Sequence, residues 1–409
     1  MKRIVICLDG TWQTLSQSDI TNIGIIARSV AHKETRPDGS HIYQNVIYAQ
    51  GVGSTIGGTV GRDWAARTFG SLTRTLGGAF GEGLDDLILD TYLRLCFDYE
   101  DGDQIFLFGF SRGAFAARRL AGLVNRIGIV SRLHTDKALV GYQLYLDQPN
   151  DDASDDAKKQ FAESCRAFRF EYGKGRRRPD GTREQLDTVP PIQYIGIFDT
   201  VAQRGVHEVI ASFTPWNDSK RFRFTNYHVP DCVQLARHAC AVDENRLGFP
   251  PLLWENIDEA NAKRGATDAV QQRWFAGQHG DIGGGIGSKL SAVALKWIAD
   301  GAVAAGLRFY GSYGKDHSPI DDALANAGLA LQSRISRPAF WEGFEPFNYG
   351  WRGRKIWSNR EAPTSQDLTK YLHPSVLERA HQRKPRYNPA PLRPFSKAMK
   401  SWKPPSDHA

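Results

Sequence analysis

Cysteine is scarce in this chain, and no two cysteines are spaced for a shared task. The five, at positions 7, 96, 165, 232 and 240, are odd in number, scattered and set mostly in apolar runs. This excludes a Cys-X-X-Cys redox centre, a cysteine-based zinc site and the disulfide framework of a small secreted domain. The thiols read as reduced core side chains, made in a reducing compartment. Long hydrophobic runs are also missing: no stretch of 18 apolar residues occurs, so no membrane-spanning helix is expected. The first apolar run ends after five residues, Ile4 to Leu8, at Asp9. That is too short for the hydrophobic region of a Sec signal peptide, so synthesis in the cytoplasm is expected. No nucleic-acid motif accompanies the net charge of +7, and no nucleic-acid partner is expected. Internal repeats are absent.

What remains is the composition of a globular protein, with 41% hydrophobic and 24% charged residues in 409. The length suffices for one large α/β domain with additions. The pattern predicts a core domain over residues 1–310, with an insertion of helices and loops at 131–191. An irregular extension at 311–380 is expected to pack on that core. Residues 381–409 hold seven Lys/Arg, six Pro and one acid. Such a tail is expected to be disordered, and either solvated or in contact with an anionic membrane surface.

Strand and helix signals alternate, which argues for a mainly parallel sheet with helices on both faces. Residues 3–8, 45–49, 105–108, 193–198 and 273–276 read as strands. Helical spacing covers 20–30, 84–96, 114–124, 232–242 and 290–298. Residues 51–83 are Gly-rich with interspersed Trp and Phe, and read as a cover over a site or as close helix packing.

The most informative stretch runs from Asp103 to Arg118. A continuous apolar strand, Ile105 to Phe108, leads into Gly109-Phe110-Ser111-Arg112-Gly113. Ala114, Ala117, Leu120, Ala121 and Val124 then recur at helical spacing. This is the pattern of a nucleophile elbow, a tight strand-to-helix turn that presents a serine hydroxyl at the top of a sheet. Gly109 and Gly113 let backbones pass close to the serine. The Arg112 amide, at the helix N-terminus, lies where an oxyanion would develop.

A serine hydroxyl needs a base within hydrogen-bond reach, and the base needs an orienting acid. In elbow-bearing hydrolases these follow in the chain order Ser, acid, His, on loops just past strand ends. His279 fits the base, because it follows a short strand and precedes a Gly-rich loop. His238 reads as a packed core histidine, and His207 and His228 stay open. Asp199 closes the strand 193–198 and fits the acid, with Asp243 and Asp281 as competitors. Asp9-Gly10-Thr11 superficially matches the haloacid-dehalogenase motif, but Cys7 stands where that chemistry needs an aspartate. The Gly10 or Thr11 amide is instead expected to be a second oxyanion donor, with Asp9 supporting the loop. His279, Asp281 and Asp199 would be the only plausible metal set, and no zinc spacing supports it. No metal and no cofactor is expected.

Six motifs in this order resemble the DUF2235 proteins. They are Leu8-Asp9-Gly10-Thr11-Trp12, Gly51-Val52-Gly53, Gly109 to Ala114, Phe198-Asp199-Thr200-Val201, Asp243-Glu244-Asn245-Arg246 and His279 to Gly285. That family includes the catalytic domain of Tle1-type phospholipase effectors of bacterial type VI secretion. Where the family usually has Val-His-Ser-Asp-Val, this chain has Gln278-His279-Gly280-Asp281-Ile282. The resemblance covers roughly residues 1–310. It implies an α/β-hydrolase fold, a Ser111-Asp199-His279 triad and cleavage of lipid esters. It also implies a phospholipid or other ester substrate, an immunity or secretion partner, and export by a type VI system. The residues themselves leave two alternatives, a carboxylesterase or thioesterase for small substrates and an interaction protein on a hydrolase scaffold.

Overall fold

A computed structural model describes residues 1–10, 13, 15–16, 18–51, 82–150, 152–177, 183–184, 186–201, 227–246, 249–310, 319–325, 354, 356, 363–381, 387 and 389–402. The Gly-rich stretch 52–81, Thr11 and His207 lie outside the described residues.

The centre is a seven-stranded sheet. Its strands are β1 (Lys2–Leu8), β2 (Lys33–Thr35), β3 (His41–Ala49), β4 (Gln104–Phe110), β7 (Ile192–Phe198), β8 (Val233–Ala241) and β9 (Val270–Phe275). A separate small ribbon pairs β5 (Arg176–Arg177) with β6 (Arg183–Glu184). The sheet order is β2-β3-β1-β4-β7-β8-β9, and every neighbour pair is parallel except β2 with β3. β1, β4 and β7 are buried almost without a break, as expected of parallel strands covered on both faces.

Helices α1 (Asn22–Ser29), α2 (Glu82–Asp98), α3 (Arg112–Ile127), α4 (Ala138–Leu146) and α5 (Asp155–Tyr172) come before β7. Later ones are α6 (Ile257–Lys263), α7 (His279–Gly283), α8 (Ser291–Ala304), α9 (Pro319–Ala325), α10 (Ser365–Tyr371), α11 (Pro374–His381) and α12 (Ser396–Ser401). On one face α2 to α5 bury Tyr92, Leu120, Val124, Tyr145 and Phe168 against Ile4, Ile105 and Ile195. On the other face α1 and α8 bury Ile23, Ile26, Leu295 and Ile298 against Val5, Phe106 and Tyr194. The strand-helix alternation thus yields the α/β architecture it predicts, with helices on both sides of a mainly parallel sheet.

Two expectations are corrected. Residues 232–242 form strand β8, not a helix. The Ala-rich run suggests a helix, but the last four residues of β8 are all buried between the two helical layers, so no period-2 alternation marks the strand. Residues 389–402 are not disordered. A 3-10 turn (Ala390–Phe395) and α12 bury Leu392, Phe395 and Ala398 against Trp274, Cys240 and Val376. A segment too polar to fold alone is here ordered by a core already present.

Candidate active site

The parallel strands end at one edge of the sheet, and there five of the six deliver a candidate residue: Asp9 after β1, Ser111 after β4, Asp199 after β7, Asp243 after β8 and His279 after β9. The strand order reverses beside β1 and β4, and such a crevice at the carboxyl ends is where open α/β sheets bind ligands.

Ser111 occupies the sharp turn between β4 and α3, with φ 59° and ψ −122°. Its N–H donates to the Phe198 carbonyl (3.1 Å), and its carbonyl accepts from the Phe115 N–H (3.2 Å). The turn is tight enough that a Cβ on Gly113 would stand 2.1 Å from the Leu8 carbonyl oxygen. A Cβ on Gly109 would lie 2.5 Å from the Gly113 carbonyl oxygen. Both positions therefore require glycine. Arg112 opens α3, where first-turn N–H groups have no intrahelical acceptor.

Asp199 is completely buried. Its N–H donates to the Ala239 carbonyl at 2.7 Å, and its Oδ1 accepts the Ala241 N–H at 2.9 Å. His279 opens α7, with Nδ1 2.6 Å from Asp199 Oδ2 and Nε2 2.8 Å from Ser111 Oγ. A carboxylate only accepts, so the Nδ1 position carries the proton and Nε2 is left to accept from the serine hydroxyl. Phe110 and Phe249 flank the imidazole, at centroid distances of 4.7 and 5.0 Å.

Arg354 completes the cluster, and no sequence signal marked it. Its guanidinium donates to both Asp199 oxygens, Nη1 to Oδ1 (2.5 Å) and Nη2 to Oδ2 (3.0 Å). Burial by itself would raise the Asp199 carboxyl. Arg354 and the His279 hydrogen bond outweigh it and hold the group far below the usual carboxylate range.

The competing acids hold backbone. Asp243 Oδ2 accepts the Gly277 N–H (2.7 Å) and the Tyr387 hydroxyl (2.8 Å). Burial pushes the Asp243 carboxyl up to about 6, against those bonds. Asp281 Oδ2 accepts the Gln278 N–H (2.9 Å), and its Oδ1 accepts the Ser288 hydroxyl. Neither is bonded to the His279 ring. Glu244, beside Asp243 in the sequence, was missed as a participant. It accepts the His279 N–H (3.3 Å) and is itself forked by Arg246, whose guanidinium lies 3.7 Å from the Phe249 ring centre. The Asp-Glu pair thus pins the turn that presents His279, a role its position just after a strand end would suit. Among the described residues no three His, Cys, Asp or Glu side chains are gathered as a metal site.

His238 is a core histidine. Nε2 accepts the Thr200 N–H (3.2 Å) and Nδ1 lies 2.9 Å from Gln272 Oε1, and burial pulls its pKa down to about 3. It steadies the turn that follows Asp199. His228 is exposed on the surface.

The Gly10 amide is engaged within its own loop. Its N–H donates to Asp9 Oδ1 at 2.7 Å, and Asp9 also accepts from Thr21 (2.8 Å) and Tyr48 (2.7 Å). A buried carboxylate takes every nearby donor, and the first amide of the loop is one of them. These bonds place Asp9 at the centre of the loop.

Known proteins resemble this chain in part. "Uncharacterized protein YEL023C" of Saccharomyces cerevisiae is 27% identical over 252 residues, covering 61% of this chain and 32% of that protein. Two solved structures are more distant. One is an uncharacterized protein from Pseudomonas aeruginosa, 16% identical, covering 81% of this chain and 51% of that one, with a TM-score of 0.39. The other is the Tle1 effector bound to the VgrG spike from the type 6 secretion system, 19% identical, covering 71% and 52%, with a TM-score of 0.35. The chain spans about a third of the yeast relative and about half of each solved chain. A family model for the catalytic domain of Tle1-like type VI secretion phospholipase effectors matches residues 2–301, a span that runs from β1 into α8 and takes in Ser111, Asp199 and His279. The chain belongs to the family of Tle1-like phospholipase effector catalytic domains.

Proposed function

We propose that this chain is a serine ester hydrolase that cleaves the acyl esters of phospholipids. The observation that carries the reading is the unbroken hydrogen-bonded chain Ser111 Oγ–His279–Asp199 at the carboxyl edge of the sheet. Ser111 Oγ attacks the ester carbonyl while His279 Nε2 takes its proton. Asp199 keeps the imidazole in its tautomer and stabilises the imidazolium. The Arg112 amide, aimed out of the α3 N-terminus, stabilises the tetrahedral oxyanion. Collapse of that intermediate expels the alcohol, protonated by His279, and leaves an acyl-Ser111 ester. His279 then activates a water that releases the fatty acid and restores the hydroxyl. The family match supports a lipid rather than a small ester as substrate, and delivery by a secretion partner.

The test is labelling with a fluorescent fluorophosphonate, followed by hydrolysis of phosphatidylcholine and phosphatidylethanolamine vesicles. Wild type should label and Ser111→Ala should not, and vesicle hydrolysis should vanish with the label. Labelling with turnover of short esters but no vesicle turnover would favour the small-substrate esterase. No labelling, with or without detergent micelles, would overturn the serine mechanism.

A further inference from the structure

Arg354 lies 155 residues beyond Asp199 and outside the span matched by the family model, which ends at residue 301. It is nonetheless buried against the acid that orients His279. The same two nitrogens that fork the carboxylate also donate to carbonyls, Nη1 to Ala241 O (3.0 Å) and Nη2 to Phe249 O (2.9 Å). Ala241 closes β8 and donates its own N–H to Asp199. Phe249 stands edge-on to the His279 ring. One planar group therefore ties together the acid, a strand end and an aromatic wall of the imidazole.

Other residues beyond the family span hold the segment that leads into His279. The Tyr387 hydroxyl bonds the Asp243 oxygen that holds the Gly277 amide. The His373 N–H donates to the Trp274 carbonyl (3.0 Å), and its ring stacks on Phe275 at 4.3 Å. Trp274 and Phe275 are the last residues of β9, just ahead of His279.

We propose that Arg354 is a positioning residue of the active site, and that docking of the C-terminal segment that carries it sets the geometry of the Asp199–His279 pair. This rests on the ester-hydrolase reading above. A guanidinium fork matches a carboxylate in a way an ammonium cannot, so the role requires arginine and not merely a positive charge. Without it Asp199 turns on its remaining backbone donor, the imidazole loses alignment with Ser111 Oγ, and the uncompensated carboxylate holds the imidazolium more tightly. Among the described residues, the other charged or titratable groups facing this cluster are Glu244, His238, Cys240 and Arg118. The substitutions below leave all four in place.

The test compares wild type, Arg354→Met and Arg354→Lys in the full chain, using a short-chain p-nitrophenyl ester over a range of pH. For Arg354→Met, kcat should fall about 100-fold with KM within about twofold. Its acid limb should move up by about one pH unit. Arg354→Lys should restore the limb and leave kcat about 10-fold low. A folded Arg354→Met with wild-type kcat and pH profile would overturn the proposal. If Arg354→Met does not fold, Arg354→Lys decides: a wild-type kcat overturns the fork requirement, and a reduced kcat at unchanged melting temperature supports it. Failure of both to fold would make Arg354 a structural residue and end the positioning role. An inert wild type is a different outcome, since it defeats the hydrolase reading itself.

Discussion

Ser111 and Asp199 are the two non-glycine residues with positive φ among the described residues, at 59° and 38°. They stand at the ends of adjacent parallel strands, joined by the bond from the Ser111 N–H to the carbonyl of Phe198. A side chain in such a conformation costs on the order of 1–3 kcal/mol, retained only where the surroundings over-determine it. Here the two strained residues are the ones whose side chains meet at His279.

The strain at Ser111 should be measurable as stability. Ser111→Ala keeps a Cβ in the unfavourable conformation, whereas Ser111→Gly removes it. We expect the glycine variant to be the more stable by about 1 kcal/mol, after allowing for its greater unfolded-state entropy. Urea denaturation of both proteins checks this, and equal midpoints would mean the turn is relaxed.

The three aspartates should separate sharply in activity. Asp199→Asn presents an amide to His279 Nδ1 and favours the wrong tautomer, and should lower kcat about 10⁴-fold. Asp243→Asn and Asp281→Asn keep an oxygen for the amides they hold. They should retain activity within about 10-fold of wild type, because their effect reaches His279 only through the turn. Steady-state rates on one soluble ester settle the order, and an inactive Asp243→Asn beside an active Asp199→Asn would reverse the assignment.

Asp243 should also leave a mark on stability against pH. Its folded pKa, raised to about 6, lies above the unfolded value of 3.8, so the folded state binds more protons between them. Stability from this group is complete below pH 4 and is lost as pH rises through 6, by about 3 kcal/mol in all. Asp243→Asn cannot titrate. Its melting temperature relative to wild type should therefore climb between pH 4 and 7 and then level off. Thermal scans at fixed ionic strength test this, and a constant difference would show that Asp243 does not titrate in that range.

The part of this protein written into its sequence is what depends on neighbours along the chain. Ile105 to Phe108 must be a buried strand, and two glycines around Ser111 fit only a tight turn, so the elbow is legible from about ten residues. The α/β alternation is legible for the same reason. β8 was not, because a strand buried on both faces carries no alternation and its alanines imitate a helix. Asp199 was favoured over Asp243 and Asp281 by its place at a strand end, but all three follow strands or sit in turns, and it is the sheet order that brings Asp199 against the His279 ring. The partner of the Gly10 amide was hidden too, because the carboxylate that takes it is also held by residues as distant as Tyr48. Arg354 lay furthest from reach. A buried ionised acid demands a partner, but nothing local says which of many arginines supplies it, and that choice belongs to the packing of the C-terminal segment on the sheet.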